Sequence, residues 1–96
     1  MTVKINGECE ESFNGRSAFT DLKDYMVEKY NYLYASDMKL NKKIIKDMVN
    51  FLMKSCYKEE DEWMVNWRMR LVVTLMECYA RLNAEPETLV TWECDW

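Results

Sequence analysis

The longest amphipathic pattern in the chain covers residues 61–83 and predicts a single long helix. At about 100° per residue, apolar side chains take up roughly two thirds of its circumference, which is typical of a buried helix. The polar strip is narrow, and Arg68 interrupts the apolar arc near its centre. Pro86 prevents the helix from continuing, because it has no backbone N–H and restricts the residue before it. We therefore expect this helix to form the centre of the fold.

Two shorter patterns predict helices earlier in the chain. The first begins near Ser17, whose hydroxyl can cap a helix N-terminus, and runs to about Tyr34. The second covers about residues 38–56, with Ser36 or Asp37 as its cap, and separates an apolar half from a half that is mostly lysine. We expect both helices to pack against the long one. The apolar face of the first follows three- and four-residue spacing: Phe19, Leu22, Met26, Tyr30, Leu33 and Tyr34.

The beginning of the chain has the pattern of a β-hairpin. Polar and apolar side chains alternate over Thr2–Ile5, and Asn6 followed by Gly7 is a strong signal for a tight turn into a second strand. A two-residue turn pairs Ile5 with Glu8, whereas a three-residue loop shifts this pairing by one position. The sequence therefore predicts the two strands and leaves their register open.

The end of the chain, residues 88–96, also alternates and predicts a strand, with Val90, Trp92, Cys94 and Trp96 on one side. We expect it to pair with the N-terminal strands; a loose tail laid over the helices is the alternative. The elements together predict an α+β fold that is mainly α, with a three-helix core, the long helix central, and short antiparallel strands from the two termini. An all-α fold with extended tails is the alternative. Residues 1–96 are expected to form a single globular domain.

Composition indicates the cellular compartment and argues against a zinc site. The chain is 49% hydrophobic with two Gly and one Pro, as expected of a packed globule. No uncharged run is long enough to span a bilayer, and the N-terminus lacks the apolar core of a signal peptide. We expect a cytoplasmic protein with reduced thiols. The cysteines contain no CxxC pair, which favours buried, inert thiols over a zinc site: Cys9, Cys56, Cys78 and Cys94.

The chain offers little for catalysis. It contains no His, the usual general base near neutral pH, so a Cys nucleophile would depend on Lys or Arg for activation. Gly7 and Gly15 stand alone, whereas a phosphate-binding loop needs clustered glycines. The acidic cluster at residues 59–62 is explained by the positive end of the long helix dipole. We therefore predict a protein without catalytic residues, metal or cofactor.

Charge is unevenly distributed along an acidic chain whose formal net charge is −4. Residues 36–58 carry six Lys against two Asp, whereas the chain on either side is acidic. This lysine face includes Lys42, Lys43 and Lys46 and could attract phosphates, with Tyr32 upstream as a stacking partner. Lysines on the outer side of an amphipathic helix also serve solubility alone, and no Arg accompanies them. Nucleic-acid binding is therefore the second hypothesis.

The first hypothesis is a non-catalytic protein-interaction module. Met, Trp and Tyr are enriched in interface cores, and the chain contains eight, four and six of them. Any apolar arc of the long helix that the other elements leave uncovered must meet another chain, so we expect a homodimer through this helix. The small size and separate acidic and basic faces suit a regulatory or inhibitor protein of the viral or phage accessory type, which binds and blocks a partner, although no motif identifies such a family.

The candidate partner-binding residues come from the lysine face, the aromatic tail and the positions that break an apolar face. Two interpretations of Arg68 stay open: a side chain that reaches water along its aliphatic stem, and a buried ion pair across an interface. The full set of candidates is Tyr25, Tyr32, Lys42, Lys43, Lys46, Arg68, Trp92 and Trp96.

Overall fold

The computed structural model describes all 96 residues and shows an α+β fold that is mainly α. The four strands form one antiparallel sheet in the order β2-β1-β4-β3, and the three helices pack on one of its faces. This arrangement confirms the predicted fold class. The elements in chain order are β1 (Thr2–Ile5), β2 (Glu8–Ser12), α1 (Arg16–Tyr30), β3 (Asp37–Leu40), α2 (Lys42–Lys58), α3 (Glu62–Ala84) and β4 (Val90–Glu93).

The two central strands come from opposite ends of the chain, as the alternation predicts. Val3 of β1 pairs with Trp92 of β4, and both side chains are buried against the helices. The opposite face of the sheet is polar, and there Lys4 lies 3.6 Å from both Asp37 and Glu93. One face of the sheet therefore contributes to the core while the other is solvated.

The hairpin register combines a tight turn with a bulge. Asn6 and Gly7 both have positive φ (52° and 82°), as a two-residue type I′ turn requires, and Ile5 pairs with Glu8. Between Val3 and Lys4 the register shifts by one, so that Val3 pairs with Glu11. The bulge thus turns the Glu11 side chain toward the helices.

Helix α1 is shorter than the sequence predicts and has a different cap. Its N-cap is Gly15, and no side chain caps it, so the prediction of a Ser17 cap is wrong. It ends at Tyr30 because Asn31 takes a left-handed conformation (φ 55°) and closes the last turn through a backbone bond to Met26. Leu33 and Tyr34 consequently lie beyond the helix and are exposed, not on its buried face.

The sequence also missed β3, which occupies residues that were predicted to begin the second helix. Met38 and Leu40 alternate with charged residues and continue the sheet beside β4. Helix α2 begins only after Asn41, whose side chain accepts a hydrogen bond of 2.8 Å from the Ile44 N–H. The predicted cap at Ser36 or Asp37 is therefore wrong by four or five residues.

Helix α3 agrees closely with the prediction. Asp61 caps it by accepting a hydrogen bond from the Trp63 N–H at 2.9 Å, and the helix ends at Ala84, two residues before Pro86. One side of α3 is buried against the other helices and the sheet through Leu71, Leu75, Cys78 and Leu82. None of the three helices is both long and apolar enough to cross a membrane.

An aromatic cluster fixes the start of α1 against α3. The rings of Phe13, Phe19 and Trp67 meet edge to face, with centroids 5.7 to 6.5 Å apart. Trp67 also lies directly on Gly15: a Cβ placed on this glycine would be 2.6 Å from the indole Cγ. The φ of Gly15 is −78°, so the position requires glycine for lack of space and not for its backbone conformation.

We expect Gly15→Ala to lower the free energy of unfolding by about 1–3 kcal/mol, because the new methyl group displaces a ring held on several sides. Urea unfolding followed by circular dichroism measures the loss. Ser17→Ala is the control, since Ser17 is exposed and its hydroxyl makes no hydrogen bond within the chain. Equal losses in the two variants would contradict this account of the contact with Trp67.

Candidate interaction surface

Tyr32 and Trp92 lie in the core. The Tyr32 hydroxyl donates to the Ser36 carbonyl at 2.8 Å and accepts from the Cys94 N–H at 2.7 Å. Its ring packs against that of Trp92, which has no exposed surface. The two side chains fasten the segment after α1 onto β4. Neither is available to a partner in this conformation, so we do not retain them as surface residues.

Tyr25 and Trp96 are half-buried and serve contacts within the chain. Tyr25 stacks on Phe51 with ring centroids 4.5 Å apart and donates to Asp47 at 2.8 Å. Trp96 packs against the edge of the core, and its carbonyl accepts from the Lys23 ammonium at 3.2 Å. The structure gives both residues a role in packing, and Tyr25 reaches Asp47, which follows Lys46 on α2.

Arg68 is buried, with only 5% of its surface exposed. Its Nε donates to the Ala18 carbonyl at 2.9 Å, and its Nη1 lies 3.4 Å from the Glu59 carboxylate. The interpretation of a side chain that extends to water is therefore wrong. The ion pair is present, but it lies within the chain, where it joins α3 to the start of α1 and to the segment before α3.

The contact with Arg68 also affects the pKa of Glu59. The Asp61 N–H donates to its carboxylate, and this bond together with the charge of Arg68 lowers the pKa of Glu59 below its usual range, although burial acts in the opposite direction. The carboxylate is therefore ionised at neutral pH, as its pairing with Arg68 requires.

Three groups of α1 converge on Asp47 of α2. The hydroxyls of Tyr25 and Tyr30 donate to its two carboxylate oxygens, and the Lys29 ammonium lies 2.7 Å away. Burial alone would raise the pKa of Asp47, but these hydrogen bonds outweigh it and lower the pKa below its usual value. The network is the main polar contact between the two helices.

Lys42, Lys43 and Lys46 form the lysine surface, which is exposed on α2 as predicted. No carboxylate pairs with any of the three. The ammonium groups of Lys42 and Lys46 lie 5.9 and 5.8 Å from the ring centroid of Tyr79 on α3. The surface therefore carries uncompensated positive charge beside a half-buried aromatic ring. A neighbouring groove of about 360 Å³ is lined in part by Lys39, Asn41, Lys42, Asn83 and Thr88.

A second exposed feature lies on α3. Met69, Val73 and Met76 are spaced by four and three residues, so they form one stripe along the helix, and they are 36%, 54% and 49% exposed. We call them the α3 stripe. The sequence predicted an apolar arc that includes all three, but it could not show which part of that arc the rest of the chain leaves open.

A groove of about 460 Å³ runs beside the stripe, between α3 and β2. Arg70 spans it with an ion pair of 2.8 Å to Glu11, while its guanidinium lies over the Trp67 ring at 4.6 Å. Glu77, further along the same wall, makes no ion pair or hydrogen bond through its side chain. The groove is lined by Glu11, Asn66, Met69, Arg70, Val73, Thr74 and Glu77.

Comparison with models of known protein families, with curated proteins and with solved structures finds no match to this chain.

We expect Arg68→Met to lower the free energy of unfolding by about 2–4 kcal/mol, because it leaves the Ala18 carbonyl and Glu59 without their partner. Arg81→Met is the matched control: Arg81 is half exposed and pairs with Glu85 four residues later, so its loss should cost about 0.5 kcal/mol or less. Chemical unfolding of both variants gives the comparison. A loss at position 68 no larger than that at position 81 would refute a structural role for Arg68.

We expect Asp47→Asn to reduce stability by about 1–3 kcal/mol at neutral pH, because three donors lose a charged acceptor. The folded-state pKa of Asp47 is lowered, so its contribution is complete above the unfolded-state pKa of about 4 and disappears as the pH falls through the folded-state value. The difference between Asp47→Asn and the unchanged protein should therefore shrink below about pH 4. Asp24→Asn, on an exposed carboxylate without partners, should show no such dependence in thermal unfolding across pH.

Proposed function

We propose that this protein is a non-catalytic interaction module that binds another protein through the α3 stripe. The stripe itself carries the proposal: three large apolar side chains in a row are exposed on a helix whose opposite side is in the core. Contiguous apolar surface of this kind is typical of binding sites, and Met is among the residues enriched in interface cores.

The setting of the stripe favours binding. Leu71, Leu75 and Leu82 fix the opposite side of α3 in the core, so the exposed side chains stand on an element that is already ordered. A partner that docks here would not have to pay the entropy of forming the helix. The charged residues of the adjacent groove, Arg70 and Glu77, would supply the polar rim that protein interfaces have around an apolar centre.

Three of the four thiols support a role without catalysis; Cys9 is exposed, so the expectation that all four are buried is wrong for it. Burial raises the pKa of Cys78 to about 11 and also raises the pKa of Cys94 and of Cys56. These thiols are protonated at neutral pH and are poor nucleophiles. With no His in the chain, no strong general base stands beside them. The proposal therefore assigns the protein no chemical step.

In the same proposal, the protein acts in the cytoplasm as a small regulatory or inhibitor protein that occupies a surface its partner needs. Its four cysteines are all unpaired, which is typical of a reducing compartment.

Nucleic-acid binding is the second candidate function, and the lysine surface favours it. Lys42, Lys43 and Lys46 have no carboxylate partner, and two of them flank Tyr79. Ammonium groups around an aromatic ring are suited to a phosphate backbone with a stacked base. The negative net charge of the chain acts against this alternative.

The test compares Val73→Lys with Val27→Lys, the same substitution at an exposed valine of α1. Both folds should be retained, as checked by circular dichroism. In affinity capture from the cells of origin, Val73→Lys should lose a specific protein partner by about tenfold or more, whereas Val27→Lys should keep it. Retention of that partner by Val73→Lys would contradict the proposal.

A third variant distinguishes nucleic-acid binding from protein binding through the α3 stripe. Reversal of Lys42, Lys43 and Lys46 to Glu should leave capture of the protein partner intact. If this variant instead loses binding, and the unchanged protein binds a labelled single-stranded oligonucleotide with an affinity that collapses with added salt, nucleic-acid binding replaces the first proposal.

A further inference from the structure

The α3 stripe has a symmetry that points to its occupant, and the argument rests on the function proposed above. We infer that the stripe is the two-fold interface of a homodimer in which the α3 helices of two copies lie antiparallel, with Val73 beside the axis. The occupant named here is a second copy of this chain, which a regulated partner protein would have to displace from the stripe.

The spacing of the stripe fits a two-fold axis. Met69 lies four residues before Val73 and Met76 lies three residues after it. When two helices pack antiparallel about an axis at Val73, Met69 of one copy lies opposite Met76 of the partner subunit, and the same contact forms a second time by symmetry. All three side chains of the stripe then meet apolar side chains, and none faces water or charge.

Charge complementarity gives the strongest support. Arg70 lies three residues before Val73 and Glu77 lies four residues after it, on the same side of the stripe. The same axis therefore places Arg70 of each copy opposite Glu77 of the partner subunit. Glu77 has no ion pair within its own chain, and the Arg70 side chain is 51% exposed although it pairs with Glu11. Two new ion pairs would form at the rim without breaking an existing one.

The charges also decide the direction of the helices. In a parallel arrangement the two-fold axis runs along the helices and places Arg70 and Glu77 of one copy on one flank of the contact and those of the partner subunit on the other flank, so these charges would not meet. The antiparallel arrangement pairs opposite charges at both ends. It also places Ala80, seven residues after Val73, opposite Asn66 of the partner subunit, so that a small side chain permits close approach of the helices there.

The surrounding surface does not oppose this contact. The chain has a net charge of −4, which disfavours random association of two copies. The exposed strip of α3 from residue 66 to residue 81, however, carries Arg70 and Arg81 against Glu77, so this strip is not acidic. Only three large apolar side chains form the centre, and we therefore expect a dimer that dissociates at about micromolar concentration.

The experiment reverses one of the two charges in each of two variants and follows their self-association by analytical ultracentrifugation from about 1 μM to about 1 mM. Glu77→Arg alone places Arg against Arg at both rim positions, and Arg70→Glu alone places Glu against Glu. Each variant should self-associate about tenfold or more weakly than the unchanged protein. In a mixture of the two variants, both rim positions again pair Arg with Glu, so the mixture should form heterodimers with near-original affinity.

A cross-link provides an independent readout if Arg70→Glu disturbs its contact with Glu11. Val73→Cys in a Cys9→Ser background should join two copies through a short bismaleimide, because each Val73 faces the axis; Val27→Cys in the same background should not. Failure of the mixture to recover affinity, together with absence of the cross-link at position 73, would overturn the antiparallel dimer.

If the unchanged protein is monomeric at every concentration, the dimer is overturned as well. The proposed function would then stand or fall separately, on whether Val73→Lys loses its captured partner.

Discussion

The burial of α3 holds the other elements in place: α1 and α2 pack on it, and the sheet closes the same core. Leu71, Leu75 and Cys78 have no exposed surface, so the middle of this 23-residue helix is surrounded on one side by the rest of the chain. The apolar arc of the helix is wider than this covered side. What remains uncovered is the α3 stripe, which follows from the small number of elements available to pack around so long an apolar helix.

Arg68 shows how polar groups are accommodated in that core. Its position falls inside the covered side of α3, where an unpaired guanidinium would be costly. The Ala18 carbonyl and the Glu59 carboxylate satisfy it; Ala18 lies 50 residues before Arg68, and Glu59 lies nine residues before it, in the segment that precedes α3. The side chain therefore fixes the relative positions of three segments with a geometry that apolar packing alone does not impose.

Much of the fold could be predicted because period and turn chemistry are local signals. The Asn6-Gly7 turn, the strand around Trp92 and the extent of α3 all follow from residues close in sequence. Strand β3 was missed because Leu40 and Ile44 are four residues apart, so a strand that leads directly into α2 has the spacing of a longer helix. The early end of α1 depends on the left-handed conformation of Asn31, which apolar periodicity does not reveal.

The residues of the candidate site likewise fall into those that local sequence could predict and those that depend on distant parts of the chain. Exposure of the lysine surface could be predicted from one helix alone, whereas the burial of Tyr32 depends on Trp92 of β4 and on Cys94, which lies 62 residues further along the chain. The α3 stripe depends on which side of α3 every other element covers, and no local pattern contains that information.

The bulged hairpin shapes the outer edge of the sheet at β2. Strand β2 is an outer strand, and an outer strand with free backbone groups invites another β-strand to add to it. The irregular register distorts this edge, and Glu8 and Glu10 surround it with negative charge. A second copy that approached with its own β2 would meet the same carboxylates. The hairpin therefore works against the addition of another strand at the β2 edge of the sheet.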